Sequence, residues 1–277
     1  MATERIWIDV PGGRLAAEDH GDPSAPPILL VHSAVVNRRA WDGVVPRLVD
    51  AGYRVLTYDM RGFGESTSED VEFAGHADVL AVLDHFGAGQ AAIVGNSMGA
   101  HFALDAIVSA PDRFVGYVWV GGGISGFDRE PSPIEQALFD AEEAAEQAAD
   151  WDLAAEYDTQ IWMDGPGQPA TRVAPEVRAA FKAMDRELLE PGRQYGRRQK
   201  AATPAIEHLH AVRVPTLAVI GGLDTVGTQA AAERLAADVP AARIIRIPDV
   251  AHIIGMEMPD RLAALIVEHL AQLPRWS

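Results

Sequence analysis

A mostly parallel twisted α/β sheet flanked by helices is expected for this chain, from three features of its sequence. Short runs rich in valine and isoleucine recur at 28–31, 55–58, 91–94, 115–120, 217–220 and 243–247. Their continuous apolar character is that of strands buried on both faces. Segments with helical spacing lie between them, at 39–51, 71–86, 98–110, 228–237 and 257–273. The alternation of strand and helix is the third feature, because parallel neighbours must be joined by a crossover long enough to hold a helix.

The chain opens with two short extended runs, 5–10 and 14–20, around Pro11-Gly12-Gly13. This turn chemistry predicts a hairpin that adds an antiparallel edge to the sheet. The rhythm breaks once. From 126 to 210 there is no convincing strand, only Ala- and Glu-rich helical sequence interrupted by Pro131, Pro133, Gly165-Pro166-Gly167, Pro175 and Pro191-Gly192. The predicted organisation is therefore a core formed by 1–125 and 211–277, with a helical cap inserted at 126–210. A length of 277 residues suits one such domain with an insertion.

Composition removes several classes of function. Hydrophobic residues at 48% and charged residues at 23% exclude disorder of the low-hydrophobicity kind. The absence of cysteine excludes disulfide scaffolds, thiol nucleophiles, iron–sulfur clusters and Cys-ligated zinc. Forty Asp+Glu against 23 Lys+Arg give a net charge of −17, which repels nucleic-acid backbones and anionic membranes. Glu4, Arg5 and Asp9 interrupt any signal-peptide core, and no apolar run approaches a membrane span, so a cytoplasmic location is expected. Within the cap, 128–158 holds eleven acids against Arg129 alone, whereas 172–200 holds eight Lys+Arg against four acids. Oppositely charged helices, packed together or facing solvent, account for this.

The motif that carries chemistry is Gly95-Asn96-Ser97-Met98-Gly99, directly after one predicted strand and directly before a predicted helix. A serine on such a turn projects from the strand's end, and glycines are needed beside it because a Cβ would crowd the turn. The Met98 N–H then lies at a helix N-terminus, where it can donate to an oxyanion. A serine hydroxyl is a weak nucleophile that needs a base, itself oriented by an acid. Asp224 follows the strand at 217–220, and His252 follows the strand at 243–247. Both therefore fall at the sheet edge where ligands bind.

The order Ser97, Asp224, His252 resembles that of the α/β-hydrolases, and the resemblance covers essentially the whole chain. Two further stretches are similar to family segments: Asp59-Met60-Arg61-Gly62-Phe63-Gly64-Glu65-Ser66 to the D-x-R-G-x-G-x-S loop, and His32-Ser33-Ala34 with Trp41 to the H-G-x…W segment. The resemblance implies a cap between the sixth and seventh core strands, a second oxyanion N–H from Ala34, and a structural role for His32. Asp128 is the nearest alternative acid, for members that carry it after the preceding strand. Ser33 replaces the family's glycine, a variant similar to the enol-lactonase branch, and places Ser33 within reach of substrate. Haloalkane dehalogenases and epoxide hydrolases carry aspartate where this chain has Ser97. Gly-Asn-Ser-Met-Gly is also similar to hydrolases that cleave carbon–carbon bonds in ring-fission products, for which Arg38, Arg39 or the basic cap helix would supply a cationic pocket.

Other patterns carry less. Gly121 to Gly126 spells G-x-G-x-x-G after a strand, but Pro131 and Pro133 deny it the immediate helix of a dinucleotide site. It is expected to be a flexible entry to the cap. His208 and His210, two apart, make a poor metal pair, so no metal and no cofactor is expected. Trp151 and Trp162 are candidates to line an acyl pocket or to pack the cap. The reading is a serine hydrolase of a small carboxylic ester or lactone, with no nucleic-acid or membrane partner and an oligomeric state left open. The alternatives are a carbon–carbon bond hydrolase, a low-turnover ligand receptor, and perhydrolysis or cofactor-free oxygen chemistry on the same residues.

Overall fold

The computed structural model describes residues 5–200, 204–240, 242–274 and 276. Residues 1–4, 241, 275 and 277 of the expected core and 201–203 of the expected cap lie outside the described residues. Eleven strands are present among the described residues: β1 (Ile6–Val10), β2 (Gly13–His20), β3 (Pro27–Val31), β4 (Arg54–Tyr58), β5 (Thr67–Ser68), β6 (Glu72–Phe73), β7 (Ala91–Asn96), β8 (Phe114–Val120), β9 (Arg197–Arg198), β10 (Thr216–Gly221) and β11 (Ala242–Ile247). The main sheet runs β1-β2-β4-β3-β7-β8-β10-β11, with β5 paired to β2. The predicted hairpin is β1–β2, antiparallel with Val10 opposite Gly13, and β2 is also antiparallel to β4. From β4 to β11 every pairing is parallel.

Successive residues of a strand point to opposite faces, and here both faces are apolar. Leu29, Val31, Ile93, Tyr117, Trp119, Ala218 and Ile220 join one core, together with Val79, Val82 and Leu83 of α2 (Gly75–His85) and Phe102, Ala103 and Ile107 of α3 (Met98–Ser109). Ile28, Leu30, Val94, Val118, Leu217 and Val219 join the other. There they meet Val45 and Leu48 of α1 (Val45–Asp50) and Leu262, Leu265 and Ile266 of α9 (Pro259–Leu270). Residues of β3, β7 and β10 are buried throughout, which is why their sequences show no alternation.

The remaining helices are α4 (Pro133–Gln147), α5 (Trp151–Asp158), α6 (Pro175–Leu188), α7 (Val226–Asp238) and α8 (Ile254–Glu257). The first three form the inserted segment between β8 and β10. Ser132 and Glu135 form a capping box at the start of α4, with Pro133 in its first turn. Glu135 also accepts from the Val226 N–H at 2.8 Å, joining the insertion to α7. Arg178 and Lys182 of α6 pair with Glu156 of α5, and Arg186 pairs with Asp152. The opposite charges of the two halves thus meet across a helix interface.

Three sequence expectations need correction. The insertion is not free of strand: Arg197 and Arg198 form a short parallel ladder with Glu72 and Phe73. That ladder also delays the predicted helix at 71–86, which begins at Gly75. The runs at 39–51 and 257–273 each divide, because Pro46 and Pro259 start new helices rather than continue old ones. Among the described residues, no helix is long and apolar enough to cross a membrane.

Gly99, in the first turn of α3, has no room for a side chain: a Cβ there would lie 2.3 Å from the Val31 carbonyl oxygen. Gly99→Ala should therefore lower unfolding free energy by about 2–4 kcal/mol, read from urea denaturation, because the obstacle is backbone of the central sheet.

Candidate active site

Ser97 occupies the turn between β7 and α3 with φ 56° and ψ −118°. Among the described residues only Ser97 and Ala149 are non-glycine residues with positive φ. Such a conformation costs about 1–3 kcal/mol and persists only where its surroundings impose it. Here the Ser97 N–H donates to the Val120 carbonyl at 3.0 Å, and the Ser97 carbonyl accepts from His101 at 3.1 Å. A Cβ on Gly95 would lie 2.5 Å from the Ala100 Cα, so both glycines of the motif serve close backbone approach.

His252 lies beyond β11 and Asp224 beyond β10, and the parallel pairing of the two strands brings these residues together. His252 Nδ1 is 2.8 Å and 3.0 Å from the two Asp224 carboxylate oxygens. Both side chains are buried. A carboxylate can only accept, so Nδ1 carries the proton and Nε2 is left with a free lone pair. That Nε2 is buried and has no hydrogen-bond partner. The imidazole is fixed on three sides. Its backbone N–H donates to the Trp162 carbonyl at 3.2 Å, its carbonyl accepts from Asn96 Nδ2 at 3.2 Å, and the Trp162 ring lies 4.7 Å from its own. Asp128 hydrogen-bonds the Arg129 N–H instead.

Ser97 and His252 line one cavity of about 360 Å³. Ala34 and Met98 line another, of about 280 Å³, walled by Phe63, Phe73, Phe102 and Tyr195. A hydroxyl, an imidazole held by a carboxylate and a helix N-terminus at one sheet edge can together transfer an acyl group. Trp151 lines a third groove that Ala34 also borders. Ser33 is buried with its hydroxyl unpartnered, and it lines neither the Ser97 cavity nor the Ala34–Met98 cavity.

Gly121 was expected only as a flexible entry to the insertion. In the structure it has φ 48°, and a Cβ there would lie 3.0 Å from Asp224 Oδ2 and 3.3 Å from His252 Nδ1. It is the floor on which that pair rests. A glycine at the end of a strand with a histidine–aspartate pair predicted at neighbouring strand ends was the available signal. His208 and His210 fall in tight turns, and the described residues include no cluster of three or more His, Asp or Glu able to hold a metal.

With this geometry in place, comparison with known proteins is decisive: the profile of the alpha/beta hydrolase family matches residues 28–265. The chain belongs to the alpha/beta hydrolase family. It is 31% identical over 297 residues to rhodomycin D methylesterase DnrP of Streptomyces peucetius, covering 92% of this chain and 94% of that protein. It is similar to a solved thermophilic esterase from Thermogutta terrifontis, with TM-score 0.75, 25% identity and coverage of 97% and 98%. It is similar in fold to the enol-lactonase from Burkholderia xenovorans LB400, with TM-score 0.76, 22% identity and coverage of 96% and 100%.

The two loops that resembled family segments brace the alpha/beta hydrolase site. His32 Nδ1 donates to the Ser33 carbonyl at 2.7 Å and Nε2 accepts from the Met60 N–H at 2.8 Å. Burial lowers its pKa, so the ring stays neutral and joins the two loops. Asp59 accepts from the backbone N–H groups of Arg38 and Glu65 at 2.8 Å and 2.9 Å. The buried Arg38 guanidinium pairs with Glu18, Asp59 and Glu65, and Arg39 pairs with Glu187. Neither arginine is left to supply the cationic pocket considered from the sequence.

Replacing Ser97 by glycine should relieve the positive-φ strain. Ser97→Gly is expected to unfold at higher urea concentration, by about 1 kcal/mol of added stability, while losing esterase activity. An unchanged or lowered midpoint would show that the turn stores no strain.

Proposed function

We propose that this chain is a serine hydrolase that cleaves a small, fairly apolar carboxylic ester or lactone. The observation that carries this reading is the state of His252. Asp224 holds it through Nδ1, its Nε2 is unengaged, and His252 and Ser97 line the same cavity. In the proposed reaction Ser97 Oγ attacks the carbonyl carbon while His252 Nε2 takes its proton. The Ala34 and Met98 N–H groups stabilise the oxyanion, and Asp224 stabilises the imidazolium. Collapse of the tetrahedral species expels the alcohol, which takes the proton from His252. Water then attacks the acyl-enzyme with the same imidazole as base, restoring Ser97 and releasing the acid.

The full-length likeness to a methylesterase favours a simple ester, and the His32-Ser33-Ala34 segment is what favours a lactone. The segment 126–210 is proposed as a cap over the site, with Trp162 positioning His252 and Trp151 on the substrate side, whereas Ser33 is buried and out of reach of substrate. The carbon–carbon alternative acts on acidic dienoates and needs a free cation. Arg38 and Arg39 are consumed by acids, so that cation would have to be Arg198, which lines the Ala34–Met98 cavity beside Met98 and Phe102; the ester reading rests on the methylesterase likeness instead.

Ser97→Ala should reduce turnover of a short 4-nitrophenyl ester by about 10⁴-fold or more, and Asp224→Asn by about 10³–10⁴-fold, with the circular dichroism spectrum unchanged. A serine-directed phosphonate should label Ser97 alone. Steady turnover by Ser97→Ala would assign the chemistry to another residue, whereas labelling without steady turnover would favour a receptor.

A further inference from the structure

The inserted helices and the core enclose a groove of about 640 Å³. Ala34 lies in its wall, so it opens beside the carbonyl-binding end of the site proposed above. Phe63, Trp151, Leu188 and Tyr195 give it an apolar lining, and Glu146, Asp158, Asp185 and Glu190 add acidic groups. Glu142 and Glu146 come one turn apart from α4, Asp158 from the end of α5, and Asp185 from α6. Asp158 is 9% exposed and Asp185 only 2%. Asp158 Oδ1 accepts from Trp162 Nε1 at 3.0 Å, and Asp158 and Asp185 share a hydrogen bond, while Asp185 Oδ2 is buried and accepts from no N–H group or hydroxyl.

Cations of the adjoining elements are engaged elsewhere. Arg178 pairs with Glu156 and Asp164, Lys182 with Glu156, Arg186 with Asp152, and Arg39 with Glu187. Arg193 donates to the carbonyls of Gly62 and Gly64, and the Tyr195 hydroxyl donates to Leu188. Among the described residues no Arg or Lys forms an ion pair with Glu142, Glu146, Asp158 or Asp185. Burial, reinforced by the acids around them, raises the hydrogen-bonded pair Asp158 and Asp185 above the usual carboxylate range, and burial raises Glu142 to about 7. The cluster thus retains protons that one positive charge entering the groove would displace.

We infer that this groove receives a protonated amine of the substrate, so that the enzyme selects apolar or aromatic esters carrying an amino group away from the reacting carbonyl. The inference rests on the hydrolase reading above. An ammonium with hydrocarbon substituents suits this mixed lining, since it can pair with Asp185 while its apolar part meets Trp151, Phe63 or Tyr195. A metal ion does not suit the same groove: calcium and magnesium require about six converging oxygens, and the described residues include no group of three or more acids or histidines placed to hold a metal.

The test uses the intact chain and two sets of 4-nitrophenyl acyl esters of graded length, one ending in a dimethylamino group and the other in an isopropyl group. At the best length the amino ester should have a kcat/KM about tenfold higher at pH 7.5, the size of one partly buried charge pair. The advantage should shrink at pH 5 as the carboxyls take up protons, and Asp185→Asn and Glu146→Gln should each reduce it towards unity. Equal kcat/KM at every length, or an advantage that survives both substitutions, overturns the proposal. If neither set turns over, the hydrolase reading fails. Tryptophan fluorescence titrated with 2-phenylethylamine and 2-phenylethanol then decides the groove separately: a response to the amine alone, lost in Asp185→Asn, supports it, and equal or absent responses overturn it. Stabilisation by calcium without amine preference assigns the cluster to a metal and also overturns it.

Folding of the variant has its own readout. A carboxyl with a raised pKa binds more protons folded than unfolded once pH exceeds its ordinary value of about 4, so wild-type stability falls as pH rises from there through the raised pKa. Asp185→Asn should therefore melt several degrees above wild type at pH 8 and near it at pH 4.

Discussion

The backbone at Ser97 sets the terms for the rest of the molecule. A residue with a side chain is held in a left-handed conformation because the strand before it and the helix after it are both locked into the central sheet. Gly95 admits the backbone of Ala100, and Gly99 lets α3 settle against the carbonyls of Val31 and His32. Two cores, one on each sheet face, fix those elements. The hydroxyl's position is thus maintained by the packing of strand and helix around it.

From that fixed point the site is assembled by topology. Parallel order places the ends of β7, β8, β10 and β11 in one row, so residues more than 150 positions apart in sequence share a hydrogen-bonded surface. Asn96 illustrates this by donating to the Val120 and His252 carbonyls together. The imidazole is therefore oriented by the sheet through Asn96, by Asp224 through its ring, and by the insertion through Trp162.

Much of this was legible in sequence because it depends on local chemistry. Doubly buried strands have to be continuously apolar, an elbow serine requires flanking glycines, and Asp224 and His252 follow strands whose ends were already marked. The missing parts are those that depend on distant neighbours. Nothing within the G-x-G-x-x-G run shows that Gly121 lies beneath Asp224, and nothing in Arg38 shows that three acids converge on it. The β6–β9 ladder is two residues long, below the length at which alternation becomes readable. The acidic face of α4 was visible as composition. Its juxtaposition with Asp185 of α6 appears only when the helices are packed.

That small ladder bears on how a reactant gets in. The inserted helices are anchored where the chain leaves β8 and enters β10, again where Arg197 and Arg198 pair with the core, and by Glu135 on α7 and Arg172 on Glu257. Each of these attachments is a contact that any displacement of the inserted helices has to break, so opening would begin at the two-residue ladder or at one of these side-chain links.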